Sequence, residues 1–322
     1  ILFLKRLFEM GKLNDGGTIT VVVTTYNHQG KYLPKSLASV FDQTRKPAEV
    51  IIVDDASSDE SLEYLKKLGN RIKFISHGQN LGFSSSVNDG FIQAKNNLVL
   101  LLNSDITVSN NFLNQLTAHF RNPNVFAVGI LQRCFEKQKI IERGRGVGKF
   151  DRGFLHHARG EINKTNTLWV SGGAGMFRKD IWLTLGGLNK LYDPFYWEDI
   201  DISYRALKAG FTIIFDNICI VEHHQLQGSI RQNYSTKQIK SISYRNQILF
   251  AWLNITDIDL VFQHFLYLPY HLIRSILTGD IAFIRGLLSA LFKFKDVLNY
   301  RNNNTKIKKI KDRDILINFV DN

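Results

Sequence analysis

The chain has 322 residues, of which 44% are hydrophobic and 22% charged, with five prolines and two cysteines; this suits a globular protein of one large domain or two and argues against long disordered tracts. The formal net charge is +12, and without a zinc-finger pattern or an aromatic RNA-binding signature the excess points to anionic lipid, not nucleic acid. Cys134 and Cys219 lie far apart without metal-ligand spacing, which suggests buried thiols in a reducing compartment.

The chain begins at Ile1, not Met, and its opening run Ile1–Leu4 is broken at Lys5, too short for a signal-peptide core. Residues 1–17 read as a basic and apolar N-terminal segment. Ile19–Thr25 is β-branched almost throughout, the composition of a strand buried on both faces. Helical apolar spacing follows over Lys31–Phe41, then a second buried strand over Glu49–Val53. Ser58–Leu68 reads as a helix with Asp59 and Glu60 in its first turn, Ile72–Ile75 as a strand, Ser84–Lys95 as a helix and Leu98–Leu102 as a fourth strand. This alternation predicts an α/β fold with a mostly parallel sheet flanked by helices.

A helix over Asn110–Phe120 and a strand over Val125–Gly129 continue the pattern. Arg133–Asn166 is glycine-rich and charged, and reads as a mobile or meandering insert suited to acceptor contacts. Regularity returns over Trp169–Phe177. A helix from Glu198 to Ala209 stops at Gly210, and strand-like runs end at Phe215 and Val221. Residues 18–250 thus read as one catalytic unit. In 251–322, Leu260–Ile273 is uncharged and aromatic, and Ile281–Phe294 is apolar with basic punctuation. Neither run reaches the length of a spanning helix. Amphipathic helices on an anionic membrane surface, followed by a tail carrying Lys306, Lys308, Lys309, Lys311 and Arg313, fit this composition; helices packed on the catalytic core are the alternative.

Several polar clusters stand where an open α/β sheet binds its ligand, at the carboxyl ends of strands. Asp54 and Asp55 end the second strand, beside Thr24 and Tyr26 at the end of the first. They can accept from a base N–H or a ribose hydroxyl, or simply cap the next helix. Asn103, Ser104 and Asp105 end the fourth strand, and a carboxylate there suits a hard divalent cation. Asn80 and Gly82 lie on a loop that opens a helix, where backbone N–H groups can meet a ligand. Glu198 and Asp199 open a helix behind Pro194–Trp197, and aromatic walls there would raise a carboxyl pKa toward that of a general base. His223 and His224 are potential metal ligands.

Taken in order, Val22–Asn27, Asp54-Asp55-Ala56-Ser57, Asn80-Leu81-Gly82, Asn103-Ser104-Asp105, Ser171–Gly175, Tyr196–Asp201 and the late histidines resemble the inverting family 2 glycosyltransferases of GT-A fold. The likeness is greatest to bacterial enzymes of surface-polysaccharide synthesis, rhamnosyltransferase-like members among them, and it spans roughly residues 18 to 250. The resemblance implies that Asp55 contacts the nucleoside base, with Asp54, Thr24 and Tyr26 around it, and that Asn80, Gly82, Asn103 and Ser104 complete the donor site. It implies that Asp105 holds Mg²⁺ or Mn²⁺ on the donor diphosphate, with His224 the preferred later ligand and His223 close behind, and that Asp199 is the catalytic base, with Glu198 supporting or substituting. Gly172, Gly173 and Trp197 would border the acceptor. Arg205 would pair with Asp201 or help hold phosphate. Asn103 and Ser104 stand where acids are expected, a departure from the pattern.

The expected partners are a UDP- or dTDP-linked sugar donor, a glycan or polyprenyl-linked acceptor and the anionic inner face of the cell membrane. Two other classes fit the sequence less well. A non-catalytic nucleotide-sugar-binding or scaffold protein has no need of a base such as Asp199. A nucleotidyltransferase usually carries a glycine-rich basic loop after its first strand, which Thr25–Gly30 lacks.

Overall fold

The first β-branched run is covered on both faces, and the sheet is organised around it. The computed structural model describes residues 17–28, 32–136, 139–224, 230, 233–304 and 310–321. Residues 1–16, Gly228–Ser229 and the tail residues Lys306, Lys308 and Lys309 lie outside the described residues. In chain order β1 (Ile19–Thr25), α1 (Leu33–Phe41), β2 (Glu49–Asp54), α2 (Ser61–Lys67), β3 (Lys73–Ser76), α3 (Phe83–Gln93) and β4 (Leu98–Asn103) alternate as the sequence predicts. Side chains alternate across a strand, so Val21 and Val23 of β1 pack with Leu33, Leu37 and Val40 of α1. Val22 joins Phe91 of α3 on the opposite face.

The chain continues through β5 (Ile106–Val108), α4 (Phe112–Thr117), β6 (Val125–Glu136), β7 (Lys139–Arg143), β8 (Gly146–Asp151), β9 (Phe154–Arg159), β10 (Ala174–Arg178), α5 (Lys179–Thr184), α6 (Glu198–Ala209) and β11 (Thr212–His223). Among the described residues a nine-stranded sheet runs β3-β2-β1-β4-β10-β6-β11-β5, with β7 beside β6. β3, β2, β1 and β4 are parallel. β10 enters antiparallel between β4 and β6, so its first residues arrive at the rim where β1, β2 and β4 end. β11 runs parallel to β6 and antiparallel to β5. The result is a mixed GT-A-like sheet flanked by helices.

Three stretches differ from the sequence expectation. Residues 133–166 are not a loose insert: β6 and β7 form one hairpin, and β8 and β9 another. Arg152 and Gly153 both have positive φ, 47° and 82°, the geometry of a two-residue hairpin turn whose twist matches the strands. The run over Trp169–Phe177 becomes a strand only from Ala174, because Gly172 and Gly173 turn the chain at the rim. Phe211–Phe215 and the run to Val221 are one strand, interrupted between Asp216 and Ile220, where Asp216 accepts the N–H groups of Ile218 and Cys219 at 2.8 Å.

The C-terminal part consists of α7 (Thr236–Asn254), α8 (Ile258–Thr278), α9 (Ile281–Phe292), α10 (Phe294–Asn304) and α11 (Asp312–Leu316). Ser235 and Gln238 cap α7 reciprocally, and the helix runs through residue 250. Its apolar face Ile248–Leu253 forms a core with Trp197, Ile200, Tyr204, Phe154, Phe283 and Leu316. The inner helical faces therefore pack on the catalytic unit. Among the described residues no helix is long and apolar enough to cross a membrane.

The hairpin turn seats α8. His264 Nδ1 lies 2.7 Å from the Gly153 carbonyl and His271 Nε2 lies 2.8 Å from that of Arg152. A Cβ at Gly153 would lie 2.8 Å from the His264 Cα. Gly153→Ala therefore meets both a left-handed backbone and a backbone overlap, and should cost at least about 2 kcal/mol in chemical denaturation. Arg152→Asn, which suits the same turn, should add about 1 kcal/mol.

Candidate active site

The strand ends bring the predicted donor residues to one rim. Asp54 is buried; its Oδ2 accepts from Ser57 N at 3.2 Å, and its Oδ1 has no partner. Asp55 does not cap the following helix. Its Oδ1 accepts from Leu81 N at 2.8 Å and its Oδ2 from Gly82 N at 2.9 Å, so it ties the end of β2 to the Asn80–Gly82 loop. Asn80 Oδ1 also accepts from Gly82 N, at 3.1 Å. Thr24 Oγ1 reaches Asn103 Oδ1 at 3.5 Å, and Ser104 N donates to the Thr24 carbonyl at 3.2 Å. Tyr26 is half-buried beside them.

Two histidines were missed. His77 Nδ1 lies 2.7 Å from Asp55 Oδ1, and its Nε2 lies 3.1 Å from Asp89 Oδ2. His28 Nδ1 lies 2.8 Å from Ser104 Oγ. The available signal was position, because His77 directly follows β3 as Asp55 follows β2.

Asp105 is buried against His223, whose Nε2 lies 3.2 Å from Asp105 Oδ2. Of the two histidines, His223 and not the expected His224 turns its ring to Asp105. Neighbouring strand residues face opposite sides, and His224 turns its Nε2 to Thr107 Oγ1 at 2.9 Å and stacks on Phe135. Burial pushes the Asp105 carboxyl up, but the His223 hydrogen bond and the charges of His223 and His28 outweigh it, so its pKa is lowered. Burial pushes His223 down, and its bonds to Asp105 and Cys134 outweigh this, raising it to about 9.

Among the described residues no three His, Cys, Asp or Glu side chains gather as a metal site. Among the described residues Asp105 Oδ1 is buried without a partner, and an orphaned carboxylate oxygen suits a hard cation such as Mg²⁺ or Mn²⁺, toward which His223 would turn only its neutral imidazole. Two protein ligands suffice where substrate phosphates supply others. The residues fit such an ion.

The acidic pair begins α6 across the rim. Asp199 Oδ2 accepts from Gly172 N at 3.2 Å and its Oδ1 from Ile200 N at 2.8 Å. Gly173 in turn accepts from Asn103 N at 2.8 Å. Two adjacent glycines thus join the Asp105 side of the rim to the acids. A Cβ at Gly172 would lie 3.1 Å from the Phe83 ring and 3.6 Å from Asp199 Cβ, so this approach is close. Glu198 is buried, and its Oε2 has no partner. Burial and the Asp199 charge hold its pKa well above the ordinary carboxylate range. Burial raises Asp199 too, against the pull of the Gly172 and Ile200 N–H groups. Of the two, Glu198 is shifted further, because the N–H groups of Gly172 and Ile200 favour the charged form of Asp199.

Trp197 does not border an open acceptor site. It is 3% exposed and packs on Phe250, with ring centroids 5.2 Å apart; the exposed ring of this loop is Tyr196, at 41%. The contact with α7, distant in sequence, explains the difference. Arg205 is equally committed elsewhere. Its Nε donates to Asp201 Oδ2 at 2.8 Å and its Nη2 to the Gly187 carbonyl at 2.7 Å, and a further bond reaches Leu185. Arg205→Ala leaves Asp201 buried without its counter-ion, bonded only to Tyr192 and Asn254, so it should cost about 3 kcal/mol of stability in chemical denaturation.

Residues 20–184, just over half of the chain, match the family described as "Glycosyl transferase family 2". An "Uncharacterized glycosyltransferase" of Haemophilus influenzae is 30% identical over 125 residues, covering 37% of this chain and 38% of that protein, well under two thirds of its length. An "N-acetylglucosaminyl-diphospho-decaprenol L-rhamnosyltransferase" of Mycobacterium tuberculosis is 24% identical over 242 residues, covering 66% of this chain and 78% of the relative. Among solved structures, S. aureus TarS 1-349 in complex with UDP-GlcNAc superposes with a TM-score of 0.59 at 17% identity, over 90% of this chain and 91% of that one; at this identity the likeness is one of fold. With the rim geometry and the match over its N-terminal half, the chain belongs to glycosyl transferase family 2.

Proposed function

We propose that this family 2 glycosyltransferase moves a sugar, with inversion, from a UDP- or dTDP-linked donor to a glycan or polyprenyl-linked acceptor in bacterial surface-polysaccharide synthesis. One observation carries the reading. Gly172 N meets Asp199 while the Gly173 carbonyl meets Asn103 N, so the acids of α6 and the end of β4, which leads to Asp105, are joined at one rim, and this supports their reading as base and diphosphate side. The name of the mycobacterial relative, with its lipid diphosphate acceptor and rhamnosyl transfer, supports the finer description.

In this reading the nucleoside lies along Thr24, Tyr26, Asp54 and Asp55, and its diphosphate approaches Ser104 and Asp105. Asp199 takes the proton of the acceptor hydroxyl, whose oxygen bonds to the anomeric carbon as the bond to the diphosphate oxygen breaks. The nucleoside diphosphate leaves with that electron pair, and the sugar is inverted in one displacement. Burial and the neighbouring Asp199 favour the neutral form of Glu198, which lessens the repulsion between the adjacent acids. Asp105 and His223 would hold Mg²⁺ or Mn²⁺, which stabilises negative charge on the leaving diphosphate when bound.

The test is calorimetry of UDP-GlcNAc, UDP-Glc and dTDP-rhamnose with Mn²⁺ or EDTA. One donor should bind in a Mn²⁺-dependent way, and Asp105→Ala should abolish that dependence. Asp199→Asn should keep donor affinity and lose turnover. Retained turnover removes Asp199 as the base, and metal-independent binding in wild type removes the metal role of Asp105.

We also propose that the C-terminal helices lie on the anionic inner surface of the cell membrane. α8 is turned inside out: its buried residues are His264 and Ser275, whereas Ile258, Phe262, Phe265, Leu266, Ile273 and Leu277 are exposed. Phe292, at the end of α9, is 90% exposed. Exposed Arg274, Arg285 and Lys295 accompany this face, a complement to anionic headgroups. The full chain should co-sediment with phosphatidylglycerol vesicles, and a Phe262→Ser/Phe265→Ser/Phe292→Ser variant should stay in the supernatant. If the variant still sediments, or if the same changes instead dissolve a dimer seen without lipid, the membrane reading fails.

A further inference from the structure

The acids of α6 follow a loop that its own sequence does not favour. Tyr196 and Trp197 both sit in the left-handed region, at φ 70° and 79°, where a bulky residue is an outlier. Such a conformation persists when its surroundings over-determine it. Here they do so from one side chain of α7. Asn246, fully buried, donates through Nδ2 to the carbonyls of Tyr192 at 2.7 Å, Phe195 at 2.9 Å and Tyr196 at 2.9 Å. Its Oδ1 accepts from Arg245 Nε at 2.9 Å. The Nη2 of Arg245 donates to the Tyr192 carbonyl at 3.0 Å and also to that of Asp193.

We propose that Asn246 is a positioning residue of the transfer reaction: it gathers the carbonyls of the 192–197 loop so that Glu198 and Asp199 enter α6 facing the Gly172–Gly173 rim. Arg245 braces it. The inference rests on the reading of Asp199 as the base. The attachment of α7 does not require this amide, because Ile248–Leu253 already bury the helix in the third core. What does require it is the loop. A chain that turns through two left-handed residues has no ladder to satisfy its carbonyls, and buried carbonyls need partners. The start of the loop is held a second time, since Tyr192 donates its hydroxyl to Asp201 Oδ1 at 3.0 Å and Asn254 Nδ2 donates to the same oxygen at 2.7 Å. Asn246 also acts at the other end, on the carbonyls of Phe195 and Tyr196. The nucleotide-side groups Asp54, Asp55, Asn80 and Gly82 make no hydrogen bond to it.

The test uses the full chain with Asn246→Ala, and with Asn246→Ser, which keeps one donor and spares the fold if alanine does not. Hydrolysis of UDP-GlcNAc and dTDP-rhamnose with Mn²⁺ reads kcat and donor KM, and calorimetry reads UDP affinity. A base displaced by about 1 Å should lower kcat about a hundredfold in the alanine variant, with the serine variant between it and wild type. Donor KM and UDP affinity should hold. A kcat within about twofold of wild type, or a UDP affinity that falls in step with kcat, overturns the inference. A crystal structure of either variant decides it without a donor. Tyr196 and Trp197 should leave the left-handed region; if both keep positive φ and Asp199 keeps its bond from Gly172 N, Asn246 is not the positioning residue. Asp199→Asn separates the two readings. If it retains turnover the base reading fails, and if it loses turnover while Asn246→Ala does not, only the positioning role fails.

Discussion

The rest of the site depends on how α6 is held, and it is held by buried charge. Asp201, Arg205 and Lys208 lie four and three residues apart, on one helical face. Asp201 accepts from Tyr192, Asn254 and Arg205, and Arg205 reaches the carbonyls of Leu185 and Gly187. Lys208 pairs with Asp312 of α11 at 2.7 Å and donates to the Asn254 carbonyl at 3.1 Å. A buried ion pair stabilises little beyond what well-packed apolar residues would, because desolvation offsets the attraction. Directed bonds differ from apolar contacts in fixing rotation and axial position. A helix that must present two adjacent acids at one rim needs that restriction.

The same face explains why the C-terminal helices are not an appendage. Asp312 accepts from Tyr204 as well as Lys208 and from the N–H groups of Thr256 and Asp257, so α11 and the start of α8 close over α6. Asn246 and Asn254 come from one helix, α7, and reach the loop before α6 and its first turn. The family match covers residues 20–184, so α6, its two acids and the helices that hold them all lie beyond it.

Much of this was legible in the sequence where the information is local. β1 runs from Ile19 to Thr25 and α6 from Glu198 to Ala209 with a left-handed Gly210 stop, as read, because a β-branched run and a glycine C-cap are local signals. The strand-end rule located Asp54, Asp55, Asn103 and Asp105 at one rim. What was hidden depends on pairing between distant segments. Whether His223 or His224 faces Asp105 is set by the register of β11 against β5, Glu222 opposite Thr107, and a shift of one residue would exchange them. Trp197 reads as a site aromatic until Phe250 covers it. Asn246 gave no signal, because an amide inside a helix is ordinary and its acceptors lie 50 to 54 residues away.

The acids also show why residue type underdetermines role. Asp105, Glu198 and Asp199 are all withdrawn from water, and burial alone would raise all three. Their partners divide them. Asp105 faces imidazoles and is driven toward the charged form. Glu198 faces a carboxylate with an unpartnered oxygen and is driven toward the neutral one. Asp199 lies between, raised by burial against the opposing pull of two backbone N–H groups. Titratable groups pushed apart by their surroundings mark acid and base assignments. Of the three, only Asp199 combines a raised affinity for protons with hydrogen bonds to backbone N–H groups, one of them from Gly172. Replacing that glycine brings a methyl group against Phe83 before it reaches the acid, so the bond from Gly172 N to Asp199 is itself set by a position where no side chain fits without movement.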